Sequence, residues 1–160
     1  MRFELPKPRA NPEDEMKPVT YRHTQRGTLI LVTSVLVGVL GVVPLWQMGE
    51  WPPAVAFAVI TLAVASLFSS LTVEISDGEL RWYFGPGLWT YRVPLDAIKE
   101  VAVVRNRWWY GWGIRMATGF RLYNVSGLDA VELKLGPNDT RRVGTDDPQG
   151  LALALRSGRA

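Results

Sequence analysis

Two long uncharged runs constrain this chain more than any other feature of its sequence. The first extends from Gly27 to Gly49 and the second from Trp51 to Val73, and each is 23 residues long. A helix needs about 20 apolar residues to cross a bilayer, whereas the core helix of a soluble protein seldom needs so many. A cleaved signal peptide fits poorly, because a polar segment precedes the first run and a second run follows it. The pattern therefore predicts two transmembrane helices.

The predicted spans are residues 28–48 and 54–71, and the turn 49–53 between them is short enough to require an antiparallel hairpin. Six Lys and Arg residues precede the first span and the turn has none. The positive-inside rule then predicts a multi-pass protein of the cytoplasmic (inner) membrane with both termini in the cytoplasm. Small residues at four-residue spacing permit close contact, either within the hairpin or in a homo-oligomer. These pairs are Ser34 with Gly38, Ala54 with Ala58, and Ala65 with Ser69.

The segments on either side of the hairpin differ in character. Residues 1–27 contain four prolines and ten charged residues, which predicts a flexible cytoplasmic tail. Residues 72–156 alternate between apolar and polar positions in short segments, which predicts about seven strands and one C-terminal helix, followed by a tail at 157–160. Asp77-Gly78 favours a tight two-residue β-turn. We therefore expect an all-β barrel or sandwich, closed at one end by the helix.

The start of the C-terminal helix is marked by two acids. Asp146 and Asp147 directly precede Pro148, whose missing N–H costs nothing in the first helical turn. Adjacent carboxylates can serve as a metal or acid–base pair, but this position favours helix capping. We predict that Asp146 and Asp147 cap the helix.

Several of these segments together resemble a known family. The stretches GWGIR, RLYNVSGLDAVEL and RRVGTDDPQGL, placed after two spans, resemble the bacterial two-span membrane proteins with a pleckstrin-homology-like domain. The resemblance covers residues 28–156. It implies a seven-stranded barrel capped by one helix on the cytoplasmic face, with no catalytic residues and no cofactor. Phosphoinositide-binding relatives of this fold carry basic residues in the first strand–strand loop, whereas here that loop is the acidic Ser76-Asp77-Gly78.

The sequence offers little for catalysis. The chain has no cysteine, which excludes disulfides and thiolate metal sites, and His23 is its only histidine. A lone histidine cannot form a multi-ligand metal site or a catalytic triad. A net charge of +3 is too small to indicate a dedicated nucleic-acid binder. We expect a non-enzymatic protein with no cofactor, no metal and no nucleic-acid partner.

The remaining feature is the stretch RWWYGWGIR at 107–115. Its rings fit membrane docking, the inside of the barrel, or a protein partner site, and three successive aromatics cannot all face one side of a strand. We therefore expect a membrane-tethered binding or scaffolding module that contacts membrane lipid or a protein partner. The alternative is an accessory subunit of a larger membrane enzyme or transporter complex. The predicted lipid or partner surface is Arg105, Arg107, Trp108, Trp109, Tyr110, Trp112 and Arg115.

Overall fold

The computed structural model describes residues 20–158. Three helices and nine strands make up this part of the chain, and 3₁₀ turns occur at Leu95–Ala97 and Trp108–Tyr110. In chain order the elements are β1 (Tyr21–Arg26), α1 (Thr28–Gln47), α2 (Trp51–Leu67), β2 (Ser70–Ser76), β3 (Glu79–Phe84), β4 (Thr90–Pro94), β5 (Glu100–Arg105), β6 (Gly113–Ala117), β7 (Phe120–Asn124), β8 (Asp129–Lys134), β9 (Thr140–Gly144) and α3 (Pro148–Ser157).

The two apolar runs form α1 and α2, which pack antiparallel. The ring of Phe57 fills the space that a side chain at Gly41 would need, and Thr61 lies against Gly38. Within residues 20–158, α1 is the one helix both long and apolar enough to cross a membrane by length and composition. The second helix has 17 residues and ends at Leu67, short of the predicted end at residue 71, because the chain extends into β2 from Ser70.

The first strand corrects the prediction of a flexible tail at 1–27. Residues 21–26 form β1, which pairs antiparallel with β2 from Tyr21 opposite Ile75 to Arg26 opposite Ser70. This polar segment has little apolar surface of its own, and it is extended because β2 supplies its hydrogen-bond partners. Residues 1–19 of the predicted tail lie outside the described residues. The strands β1 and β2 therefore lead directly into and out of the helical hairpin.

The strands form two sheets. One has the order β1-β2-β3-β4, and the other has the order β5-β8-β9-β7-β6, in which only β7 and β9 run parallel. The tight turn predicted at Asp77-Gly78 is confirmed, since both residues have positive φ. The predicted β-rich domain with a C-terminal helix is present, but its strands do not close into a barrel: residues 20–158 contain nine strands in two sheets, where about seven were expected. The two unpredicted strands, β1 and β6, are edge strands.

Both sheets and α3 share one hydrophobic core. Trp82 lies at its centre, stacked on Tyr91 at 5.7 Å between ring centroids and edge-on to Tyr123 at 5.2 Å. The helix α3 contributes Leu151 and Leu155, one helical turn apart, as their spacing predicted. The other buried core residues are Leu71, Val73, Ile75, Leu80, Phe84, Val93, Leu95, Ile98, Val125, Val131, Leu133, Val143 and Ala152.

Candidate functional site

The helical hairpin joins the β domain without a linker. We call residues 25–28 and 66–70, where the strands become helices, the hairpin base. The Gly27 N–H donates to the Ser69 carbonyl at 2.7 Å. A side chain at Gly27 would collide with the Phe68 carbonyl oxygen, so only glycine allows this approach. The β domain is therefore held in close contact with the end of the hairpin.

Residues 106–112 connect β5 to β6 and lie outside both strands. Trp108–Tyr110 form a single 3₁₀ turn, which ends at Gly111 with φ +72°. Because the three successive aromatics lie in this turn and not in a strand, their side chains do not have to alternate between the two faces of a sheet. Trp108 is 69% exposed and Trp109 is 57% exposed, so both rings lie outside the core.

The rings and cations of this stretch contact one another. The Arg107 guanidinium lies 5.1 Å from the centre of the Trp109 ring, and Trp108 meets Trp109 edge-on at 5.9 Å. Tyr110 packs edge-on against Phe120 at 5.3 Å. We name the seven predicted residues, from Arg105 to Arg115, the aromatic-basic surface. Trp109 contacts Arg107, Trp108 and Tyr110, and the Arg115 side chain donates to the Trp112 carbonyl. Arg105 lies at the end of β5.

The aromatic-basic surface is tied to the hairpin base. The indole N–H of Trp112 donates to the Gly127 carbonyl at 3.0 Å. In the same loop, Gln25 donates to the Ser126 carbonyl at 3.0 Å, and the Thr28 and Ser126 hydroxyls are 3.2 Å apart. The loop therefore links Trp112 to the end of β1 and to the first residue of α1.

A partly buried ion pair lies beside the residue that precedes the aromatic turn. Arg142 on β9 donates to Glu132 at 2.7 Å and to the side-chain oxygen of Asn106 at 3.2 Å. Its guanidinium also covers the Phe120 ring at 3.8 Å. Asn106 is buried and directly precedes the aromatic turn, so these contacts fix where the turn begins.

Four exposed arginines, one at the end of β1 and three in the aromatic-basic surface, have no carboxylate partner within residues 20–158. Arg26, Arg105, Arg107 and Arg115 are exposed and form no ion pair with a carboxylate of residues 20–158, although other basic side chains of the domain do. Unpaired guanidinium groups beside exposed indole rings suit an interface with phosphate or with an acidic partner.

The two predicted capping acids have different roles. Asp147 is the N-cap of α3 and accepts from the Gly150 N–H at 3.0 Å. Asp146 does not cap the helix and instead contacts His23, which lies on β1. Asp147 also accepts a hydrogen bond from the Tyr21 hydroxyl, and burial together with this bond raises the pKa of Tyr21 well above its ordinary value. The acids therefore fasten β1 to α3, which sequence reasoning did not foresee.

The predicted small-residue pairs divide between two surfaces of the hairpin. Ala54 is buried inside it. Other members line an open apolar groove of about 500 Å³ between the two helices. The groove residues are Leu31, Ser34, Val35, Gly38, Val39, Val42, Val43, Ala58, Thr61, Leu62 and Ala65.

Sequence reasoning missed one exposed apolar pair in the β3–β4 turn, whose Gly85 contacts the hairpin base. Leu88 and Trp89 follow the Gly85-Pro86-Gly87 turn and project outward from it. The available signal was two large apolar residues directly after a turn, where polar residues are the norm.

No arrangement suited to holding a metal ion, of three or more His, Cys, Asp and Glu side chains, occurs within residues 20–158. In comparisons with protein-family models, curated proteins and solved structures, no match to this chain was found. The pleckstrin-homology-like resemblance therefore stays a prediction.

Proposed function

We propose that this protein is a non-enzymatic, multi-pass protein of the cytoplasmic membrane that presents a pleckstrin-homology-like binding or scaffolding domain at the inner leaflet. In this proposal α1 and α2 cross the bilayer and both termini are cytoplasmic. The observation that carries it is the aromatic-basic surface, which is tied by hydrogen bonds to the base of an apolar helical hairpin.

The dimensions of the hairpin support a membrane location. At 1.5 Å per residue, the 20 residues of α1 extend about 30 Å, the thickness of a bilayer's hydrocarbon core. The 17 residues of α2 are at the short end of the usual range of about 17–25. Trp46 and Trp51 are exposed at the closed end of the hairpin, where indole rings suit the outer interface.

The chemistry of the aromatic-basic surface supports contact with lipid. Tryptophan and tyrosine settle at the headgroup level, where the ring is desolvated while its N–H or O–H stays hydrated. Each arginine near an anionic leaflet contributes about 1 kcal/mol of attraction. Because the hairpin base allows no linker, a spanning hairpin would bring this surface close to the headgroups.

The test uses spin labelling of the full-length protein in nanodiscs, because the chain has no cysteine to remove. A fragment without the hairpin is unsuitable, since it would lose β1 and leave one edge of β2 without its partner strand. A label at Trp109→Cys reports collisions with lipid-soluble oxygen and with a water-soluble nickel chelate. We expect oxygen collisions to dominate, and more strongly when phosphatidylglycerol is added to phosphatidylcholine.

The control is a label at Leu153→Cys, an exposed position on α3. At this position collisions with the nickel chelate should dominate, both with and without phosphatidylglycerol. If the Trp109→Cys label behaves in the same way, lipid contact is refuted. Photo-cross-linking from position 109 in native membranes would then identify a protein partner.

The alternative is an accessory subunit of a larger membrane enzyme or transporter complex. The open groove between α1 and α2 favours it, because small residues let another helix approach closely. Co-purification from native membranes separates the alternatives. An accessory subunit should co-purify in a fixed ratio with one larger protein, whereas a membrane-tethered module should not.

A further inference from the structure

The turn between β3 and β4 is a second element that touches the hairpin base. The Gly85 N–H donates to the Ser70 carbonyl at 2.9 Å. A side chain at Gly85 would collide with the carbonyl oxygens of Ser66 and Leu67, the last turn of α2. The turn at 85–89 therefore lies at the level where α2 ends.

This turn exposes large apolar side chains. Leu88 is 66% exposed and Trp89 is 63% exposed. Turns that face water usually carry small or polar residues, and the adjacent exposure of leucine and tryptophan indicates a surface that meets something apolar.

The turn and the aromatic-basic surface flank the hairpin. Gln25 lies opposite Leu71 on one side of β2, and Phe84 lies opposite Leu71 on the other side. Gln25 leads to the loop that holds Trp112, and Phe84 leads to the turn at 85–89. Two exposed apolar surfaces therefore emerge from opposite sides of β2, beside the same helical hairpin.

The charge of this segment suits a lipid surface. Between Leu80 and Leu95 the chain has no Asp or Glu, and its only charged residues are Arg81 and Arg92. An exposed, tryptophan-bearing turn free of acids is not repelled by an anionic leaflet.

We infer that Leu88 and Trp89 insert into the interfacial region of the bilayer and form a second membrane contact, opposite the aromatic-basic surface. Two contacts on opposite sides of β2 prevent the β domain from rocking and fix one face of it toward the lipid. This inference rests on the proposed function, since it requires that the hairpin crosses the membrane.

The test compares three single-cysteine variants of the full chain, each carrying a nitroxide label, in nanodiscs of phosphatidylcholine with phosphatidylglycerol. Leu88→Cys tests the inference. Leu153→Cys is its matched control, because Leu153 is 67% exposed and α3 lies at the far end of the domain. That placement follows from the bond between Tyr21 and Asp147, at the end of β1 farthest from α1. Val35→Cys, on an exposed position of α1, reports insertion of the hairpin.

We expect oxygen collisions to exceed nickel collisions at positions 35 and 88, with the reverse at position 153. The ratio at position 88 should differ from that at position 153 by about tenfold or more. If nickel collisions dominate at position 88 while oxygen collisions dominate at position 35, the second contact is overturned and the proposed membrane location remains intact. If nickel collisions dominate at position 35, the proposed function itself is overturned.

A second variant tests the mechanical consequence. Leu88→Ser combined with Trp89→Ser removes apolar surface that is already exposed, so the fold should persist. We expect a label at Leu153→Cys to become more mobile in the double variant, as the domain begins to rock. Unchanged mobility would show that these side chains do not hold the domain.

Discussion

Replacing Gly27 by alanine tests the close contact between the hairpin and the β domain. A Cβ at this position would lie 2.3 Å from the Phe68 carbonyl oxygen and 3.1 Å from the Ser69 carbonyl oxygen. Both atoms belong to the backbone, so no side-chain rotation relieves the overlap. The φ of Gly27 is −81°, outside the left-handed region that favours glycine, so no positive-φ strain adds to this collision.

The magnitude follows from three contributions. Forcing an extra carbon into a tight contact costs about 1–3 kcal/mol. Separating the strands weakens the Gly27 N–H to Ser69 hydrogen bond, which is worth about 1 kcal/mol. Alanine restricts the unfolded chain more than glycine does, and this offsets the loss of stability by about 0.4–1 kcal/mol. The net expectation is a loss of about 1–3.5 kcal/mol, located where β1 meets β2.

The assay is hydrogen exchange of the full-length protein in nanodiscs, read on peptides from β1 and β2. Since about 1.4 kcal/mol corresponds to a tenfold change, exchange should be about 5- to 300-fold faster in Gly27→Ala. Gly136→Ala is the matched control, because it has no heavy atom within 4 Å and no positive φ. If the two variants exchange alike, the strands are not held together through Gly27 and our account of the hairpin base is wrong.

Three further predictions concern single side chains of the β domain. Asp147→Ala should cost about 1–2 kcal/mol because it removes both the cap of α3 and the acceptor of the Tyr21 hydroxyl, whereas Asp146→Ala should cost less than about 0.5 kcal/mol, as measured by urea titration. The Arg141 guanidinium beside Asp139 holds the pKa of that carboxyl below its ordinary value. Its stabilisation is therefore present above about pH 4 and is lost as the pH falls through the lowered pKa, so Asp139→Asn should lose less stability on acidification than the unchanged protein in thermal unfolding. Trp108→Ser should change the free energy of unfolding, measured by urea titration, by less than about 0.5 kcal/mol, because its ring is exposed.

Each of these has a contradicting result. Equal losses for the two aspartates would mean that Asp147 is not the cap. An identical acid response in Asp139→Asn would show that the ion pair with Arg141 adds no stability. A loss above about 1 kcal/mol in Trp108→Ser would place that ring in a packed environment.

Local patterns in the sequence were enough to predict the elements whose partners are nearby in the chain. The uncharged runs predicted the two helices, because an α-helix satisfies its own backbone hydrogen bonds. Asp77-Gly78 predicted the β2–β3 turn through its positive φ angles, and the residues before Pro148 predicted the start of α3. Seven of the nine strands were predicted from alternation over five to seven positions.

Tertiary structure alone decided what depends on distant partners. β1 is polar and becomes a strand only because β2, beyond the hairpin, supplies its hydrogen bonds. The same pairing brings His23 to Asp146, a contact that no local sequence pattern predicts. The aromatic-basic residues could be picked out from the sequence. Their position beside the hairpin base depends on the bonds from Trp112 and Gln25 to one loop about a hundred residues beyond β1. The sequence by itself determined which segments are apolar, aromatic or turning; the long-range pairing of strands determined which of them meet, because a β-strand, unlike a helix, has no partner within itself.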